Sequence, residues 1–415
     1  MTATPANLVE RYLELGLRLG RHIDGMVDAY YGPAALSASV DAEPLRTPAA
    51  LAEDAKALVA DLDAGVPLDA ATEDSLRRRW LRAQVLGLRT TAERLAGVAI
   101  AFEDEIERCY GVRPTRVDES AFEAAHRALD EVLPGTGPLG ERYIEWKEAQ
   151  SVPTDVLPRA IASFAEDFRD RTQRAFGLPE GEHIDFDLVT NEPWSGFNYY
   201  LGDLKSRVAI NIDLPVLATS LGHLVAHEAY PGHHTEHSRK EVGLVRRRQR
   251  LEESIFLVGA PQCLLAEGLA DLGLEVLCGE RPEAVEADHL KPLGIPFDAE
   301  VAARARQAAE ALNAVRGNLA LLLHVDGADP DDVIAYAERW GLLPKARAEK
   351  AVQFQTDPTW RAYIFCYIDG LRLCRRFTAG DPARFERLLT EQLLPADLEA
   401  ARPEPGAQGV GGVGR

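Results

Sequence analysis

Five of the chain's ten histidines lie between His223 and His237, in the run His223-Leu-Val-Ala-His227-Glu228-Ala-Tyr-Pro231-Gly232-His233-His234-Thr-Glu-His237. A histidine followed at once by a glutamate, with more histidines about one turn later, suits metal-assisted hydrolysis. Imidazoles hold the ion and the adjacent carboxylate handles the proton of an attacking water. The usual helical form places the two histidines four residues apart. Here His227 to His233 is six residues and His227 to His234 is seven. Pro231 accounts for the spacing, because its ring collides with the carbonyl four residues back, that of His227. A local bulge at Pro231, eased by Gly232, is expected to bring a histidine back to the metal. His233 is the chosen second ligand, with His234 as its alternative. The pairs His223/His227 and His233/His237 also have helical spacing, but neither places Glu228 between its two ligands, so His223 and His237 are assigned to supporting or surface positions.

A hydrolytic zinc site needs a third protein ligand and keeps one position open. The run Leu264-Leu-Ala-Glu267-Gly268-Leu-Ala-Asp271 puts two acids on one helical face. Glu267 is expected to ligate, and Asp271 to accept an N–H from a ligand histidine and so fix its tautomer. The neighbours Leu264, Leu265, Leu269, Leu272 and Leu274 mark this helix as buried, where acids need partners. Gly268 would let two helices approach closely.

The elements that carry these residues read as mostly helical. Leu8, Tyr12, Leu15 and Leu19 follow a helical period, as do Leu51, Ala55, Leu58, Val59 and Leu62, and Trp80 to Leu95 continues the pattern. Ser206–Asp213 alternates instead, with Val208, Ile210 and Ile212 on one face, and reads as a strand that the segment Glu192–Tyr200 could pair with. Such a strand could offer an edge to an extended peptide. A helix is expected to begin at an N-cap near Thr219 or Ser220. Ser254–Gly279 and Ala299–His324 read as two long helices, followed by Asp331–Trp340 and Trp360–Thr378. The predicted organisation is a helical region over 1–190 forming one wall of a cleft, a catalytic region over 191–401 and a Gly/Pro-rich disordered tail over 402–415. The fold class is mainly α, multi-helix, with one small β-sheet beside the metal-binding helix.

Composition narrows the partners. The chain has 415 residues and a formal net charge of −20, which disfavours nucleic acid and anionic membranes. Five cysteines without a Cys-x-x-Cys pair suggest free thiols rather than a disulfide framework or a thiolate zinc site. No stretch approaches the ~18 apolar residues of a membrane span, and the N-terminus does not read as a secretory signal. A cytoplasmic location is expected.

His227-Glu-Ala-Tyr-Pro-Gly-His-His234 together with Glu267-Gly-Leu-Ala270 resembles the domain of unknown function 885 family, a branch of gluzincin-like metallopeptidases. The resemblance runs from about Tyr12 to Leu373. It implies a helical enzyme with a deep substrate channel, and its Gly-His ending supports His233 as ligand. It also draws in Leu319–His324, where Ala320 replaces the family's aspartate, and Asp357–Gly370, where Tyr367 matches a Tyr-x-x-Gly pattern. After the proline this chain has Thr359-Trp360-Arg361 in place of small polar residues, so its substrate preference is expected to differ.

A peptide hydrolase also needs a donor for the developing oxyanion, for which Tyr367, Tyr363 and His324 are candidates. The expected protein is therefore a hydrolase with one Zn2+ per chain, held by His227, His233 (or His234) and Glu267. Glu228 acts as general base, Tyr367 and His324 are candidate catalytic groups, and the substrate is a peptide or small amide. The weighed alternatives are hydrolysis of a non-peptide amide or modified dipeptide, and a non-catalytic metal-binding protein.

Overall fold

The computed structural model describes residues 5–64, 72–192, 194–357 and 360–401. The tail at 402–415 lies outside the described residues, as do Pro358 and Thr359. The architecture is mainly α, as expected. Amphipathic helices dominate the first part, among them Pro5–Gly20, Pro48–Asp63, Glu73–Leu95 and Leu157–Ala175. The apolar positions read from the helical period are buried, including Leu8, Tyr12, Leu15, Leu19, Leu51, Leu58 and Leu62. Local chemistry fixes two of these helix starts: Thr47 and Thr72 each accept a backbone N–H of the first turn, from Ala50 and Ser75.

Five short strands form two sheets: β1 (Val27–Tyr30), β2 (His183–Val189), β3 (Gly196–Gly202), β4 (Lys205–Asn211) and β5 (Ile255–Leu257). β1 pairs with β5, antiparallel. β4 sits between β2, parallel to it, and β3, antiparallel. The expected pairing of the alternating segment with its predecessor is present, with Phe197 opposite Ala209 and Asn198 opposite Val208. Two expectations change. There is a second sheet, and β4 is a central strand. Both its hydrogen-bonding edges are taken, so it has none to offer a peptide.

Other boundaries differ for local reasons. The stretch from Ser254 is not helical at its start: Ile255, Phe256 and Leu257 form β5, and the helix begins at Pro261, after Gly259 at φ +88. β-Branched and aromatic residues find a partner strand there, and Pro261 fits the first helical turn. The stretch Ala299–His324 is broken into Ala299–Ala309, a tighter turn over Glu310–Ala314, Val315–Leu321 and a wide turn over Leu322–Asp326. The helix bearing the histidine run spans Ala218–Glu228, so Thr219 and Ser220 lie inside it. Ser220 Oγ donates to the Leu217 carbonyl instead of capping.

Hydrophobic packing crosses position 190. Leu8, Tyr12 and Leu88 pack with Ile255 and Leu257, while Phe102 and Ile106 share a cluster with Leu264 and Phe365. The five cysteines are free thiols, four of them buried. Among the described residues no helix is long and apolar enough to cross a membrane.

Through the centre runs the helix Pro261–Cys278, with Leu264, Leu265, Leu269, Leu272 and Leu274 buried. Its closest crossing is with the helix Ile364–Thr378. A Cβ on Gly268 would lie 2.2 Å from the Gly370 carbonyl carbon, and one on Gly370 would lie 2.3 Å from the Leu264 carbonyl oxygen. Two glycines thus let the backbones touch. On its other side Gly273 faces the Pro231 ring. Gly268→Ala is expected to cost about 3 kcal/mol, because the obstructing atoms are backbone and cannot rotate away. Urea unfolding would measure it, and a variant as stable as the parent would contradict this crossing.

Candidate metal centre

The helix Ala218–Glu228 stops where the proline demands. Ala229 leaves helical geometry, Tyr230–Pro231 is a cis peptide bond, and a new helix runs from His233 to Lys240. The expected bulge is therefore a full break. Gly232 is needed for closeness, since a Cβ there would lie 1.9 Å from the His227 carbonyl oxygen. The chain folds back onto the helix it has just left, and Gly232 N–H donates to the Ala226 carbonyl at 3.0 Å.

That return brings His233 to His227, with their Nε2 atoms 3.1 Å apart. Glu267 completes the group: its Oε2 lies 3.4 Å from His227 Nε2, and its Oε1 lies 3.6 Å from His233 Nε2. These three offer ligand atoms within 4.8 Å of one another. Behind His227, Asp271 Oδ1 is 2.9 Å from Nδ1, so Nδ1–H donates to the carboxylate and Nε2 is turned inward. Asp271 also faces His223 Nε2 at 3.5 Å, and His223, His227 and Asp271 form a second compact group around the shared carboxylate. Tyr363 donates its hydroxyl to Glu267 Oε1 at 2.6 Å. Glu267 Oε2 is buried, and among the described residues the group it faces is His227 Nε2.

The adjacent histidines part company. His234 is fully buried, with Nδ1 2.8 Å from Ser206 Oγ and Nε2 2.9 Å from Glu182 Oε2. Both its nitrogens are engaged, so the alternative ligand is turned away from the group. His237 is buried as well, stacked on Tyr200 and lining the cavity, so of the two positions expected for it, supporting or surface, it is not at the surface. His324 is not brought to the site either. Its Nε2 lies 2.7 Å from the Gln355 carbonyl and its ring packs on Phe102. The break in the helix before it, and the apolar Ala320, leave it no carboxylate partner.

A cavity of about 170 Å3 opens in front of the group, with His227, Glu228, His233, Glu267, Tyr363 and Tyr367 on its wall. Aromatic rings of Trp194, Phe197, Phe354 and Trp360 supply much of the rest. Glu228 projects into it from the helix end. Its backbone carbonyl accepts from Asn198 Nδ2 at 2.5 Å, and its side chain rests against Gly196 of β3. Tyr367 also lines a wider cleft of about 470 Å3 shared with His223, Asp271 and Arg316.

Electrostatics follow burial and pairing. Burial pushes the Glu228 carboxyl up to about 7, with His227 opposing and the carboxylates Glu267 and Asp271 reinforcing the rise. Burial lowers His233 to about 4, so its ring is neutral and able to ligate. Burial also disfavours charge on His227, Glu267 and Asp271, but their mutual hydrogen bonds outweigh it. They hold His227 well above and both acids below their ordinary ranges.

Asn198, Gly196, Glu182, Asp28 and the rings of Trp194, Phe197 and Phe354 are parts of this region that sequence reasoning missed. They come from distant segments and carry no motif. The closest thing to a signal was the strand assignment around Glu192–Tyr200.

No protein-family model matches the chain, and no curated protein matches it, so the likeness to the domain of unknown function 885 family rests on its motif residues. Solved structures do match. A candidate lipoprotein from Colwellia psychrerythraea superposes with a TM-score of 0.51 at 16% identity, over 84% of this chain and 65% of that one. This chain therefore spans under two thirds of that protein's length and shares its fold. A candidate lipoprotein of unknown function from Shewanella oneidensis gives 0.44 at 12%, over 85% and 71% of the two chains. An M32 carboxypeptidase from Deinococcus radiodurans R1 gives 0.38 at 13%, over 95% and 93%.

The Glu182 anchor generates a pH test. Burial raises its carboxyl, but bonds from His234 and Tyr230 outweigh that and bring it down to about 2. A depressed carboxyl stabilises the fold above its unfolded value, about 4.5, and that contribution fades as pH falls toward 2. The stability gap between the parent and Glu182→Gln, read from denaturant unfolding, is expected to be wide at about pH 7 and to narrow steadily below about pH 4.5. A gap that stays constant would count against the pairing.

Proposed function

We propose that this protein is a zinc-dependent hydrolase, acting on peptide bonds. The observation that carries the reading is the convergence of three ligand atoms, two imidazole nitrogens and a carboxylate oxygen, in one buried place. His227 is held from behind by Asp271, His233 is neutral, and Glu267 Oε2 faces His227 Nε2 at 3.4 Å. Two imidazole nitrogens 3.1 Å apart beside a buried carboxylate fit a divalent cation of the His2Glu type. Zinc bound there would supply Lewis-acid polarisation of a water and of the substrate carbonyl.

The remaining work falls to side chains. Asp271 orients His227, with His223 holding the far side of the same carboxylate. Tyr363 orients Glu267 rather than the substrate, because its hydroxyl is already committed. Glu228, its carboxyl raised toward neutrality, takes the proton of the attacking water and returns it to the leaving nitrogen. Tyr367 lines the cavity, and among the described residues no partner engages its hydroxyl, so it is free to donate to the developing oxyanion. The rings on the wall exclude water and favour apolar side chains.

Metal analysis and peptide cleavage test the proposal together. The parent is expected to hold about one zinc per chain, as a single His2Glu site implies. His233→Ala should lose it, while His234→Ala should keep it. Asp271→Asn should weaken zinc binding by about 10–100-fold. Glu228→Gln should keep the metal and lose between about a hundredfold and ten-thousandfold in kcat. An active Glu228→Gln variant, or zinc lost from His223→Ala but not from His233→Ala, would sink the assignment.

A further inference from the structure

Asp28 stands on the wall of the same cavity, far in sequence from every motif residue. Its placement has a structural cause. β1 pairs with β5 through Val27 opposite Leu257 and Ala29 opposite Phe256, so Asp28 is the extra residue of a β-bulge. A bulge leaves one residue outside the ladder and re-aims its side chain, and bulges recur beside active sites. Ala29 next to it turns into the core, and the carboxylate of Asp28 turns toward Glu228 and Glu267.

That carboxylate has no counter-ion among the described residues. Among the described residues lining the cavity there are three carboxylates, those of Asp28, Glu228 and Glu267, and neither a lysine nor an arginine. A divalent cation at the histidines would offset two of these charges and leave one. Burial, reinforced by Glu267 and Glu228, pushes the Asp28 carboxyl up to about 8, as expected for an acid whose cationic partner is supplied from outside. Aromatic faces of Trp360 and Phe197 border the same space and also favour a positive group.

We propose that Asp28 binds the N-terminal ammonium of a peptide substrate, making the enzyme an aminopeptidase that removes one residue at a time. The inference rests on the peptidase reading above. The size of the cavity supports it: about 170 Å3 is small beside the roughly 300–1,000 Å3 of ordinary ligand pockets, which suits the end of a peptide better than a long stretch of it. The wider cleft of about 470 Å3 beyond Tyr367 takes the remainder of the chain. Asp28 fixes which bond reaches Glu228 and takes no proton in the reaction.

The zinc-loaded full-length protein is tested on a tetrapeptide with a free N-terminus, on its N-acetylated form, and on an N-acetylated peptide bearing lysine beside the scissile bond. The parent is expected to release the first residue from the free peptide. Acetylation should lower kcat/KM at least about tenfold. Asp28→Asn should bind zinc as the parent does, raise KM on the free peptide about tenfold with a smaller change in kcat, and erase the difference between free and acetylated forms. Cleavage of both forms at equal rates by the parent would overturn the inference while leaving the peptidase reading intact, and this comparison needs no variant. Loss of zinc from Asp28→Asn, or cleavage confined to the lysine peptide, would overturn it too. A parent that cleaves no peptide at all would refute the reading beneath it.

Discussion

Gly232 is pressed against the carbonyl oxygen of His227, where no Cβ has room, and the arrangement of the site follows from that contact. It forces the chain to double back at the end of one helix and start another at once. The two helices then present His227 and His233 to each other across 3.1 Å, which no continuous helix could do at a spacing of six. The third member arrives through a second close contact. Gly268 and Gly370 bring two helix backbones together, and Gly273 on the same helix accommodates the Pro231 ring. Glycines on one central helix thus tie the turn, Glu267 and the tyrosine-bearing helix into one unit.

Charge is the cost of this compactness. Burying several histidines and carboxylates together is unfavourable unless each is paired. The molecule divides them into two sets. On one side Asp271 answers His227 and His223, and Tyr363 answers one oxygen of Glu267. On the other side Glu182 answers His234, Tyr230 and Arg169. Among the described residues the Asp28 carboxylate stays outside these pairings, and it borders the cavity. Asp28 is thereby in a position to meet a cation from outside.

Much of the core was legible from periodicity alone. Helical spacing in the first hundred residues identified side chains that are buried, and the alternation around Val208 and Ile210 located β4. The errors have a common origin. Ile255–Leu257 reads as helix by its apolar content, but it pairs with a strand more than two hundred residues away. β2, from a separate segment, occupies the edge of β4 that local reading left open. His324 lies on an apolar run that reads as continuous helix, yet the run breaks and its ring turns to the Gln355 carbonyl. In each case a partner distant in sequence outweighed local preference.

The sequence by itself determined the chemistry available: histidines next to a glutamate, an acid pair four residues apart on an apolar helix, and a proline that had to interrupt the first helix. Those are covalent and local facts, set by residue type and by helical geometry. Only the tertiary structure decided between His233 and His234, because the choice depends on where Ser206 and Glu182 stand. It also turned Asp28 into the cavity, since a bulge exists only when two strands are paired. Ligand sets and specificity groups are fixed by contacts across long separations, and one-dimensional spacing carries no record of them.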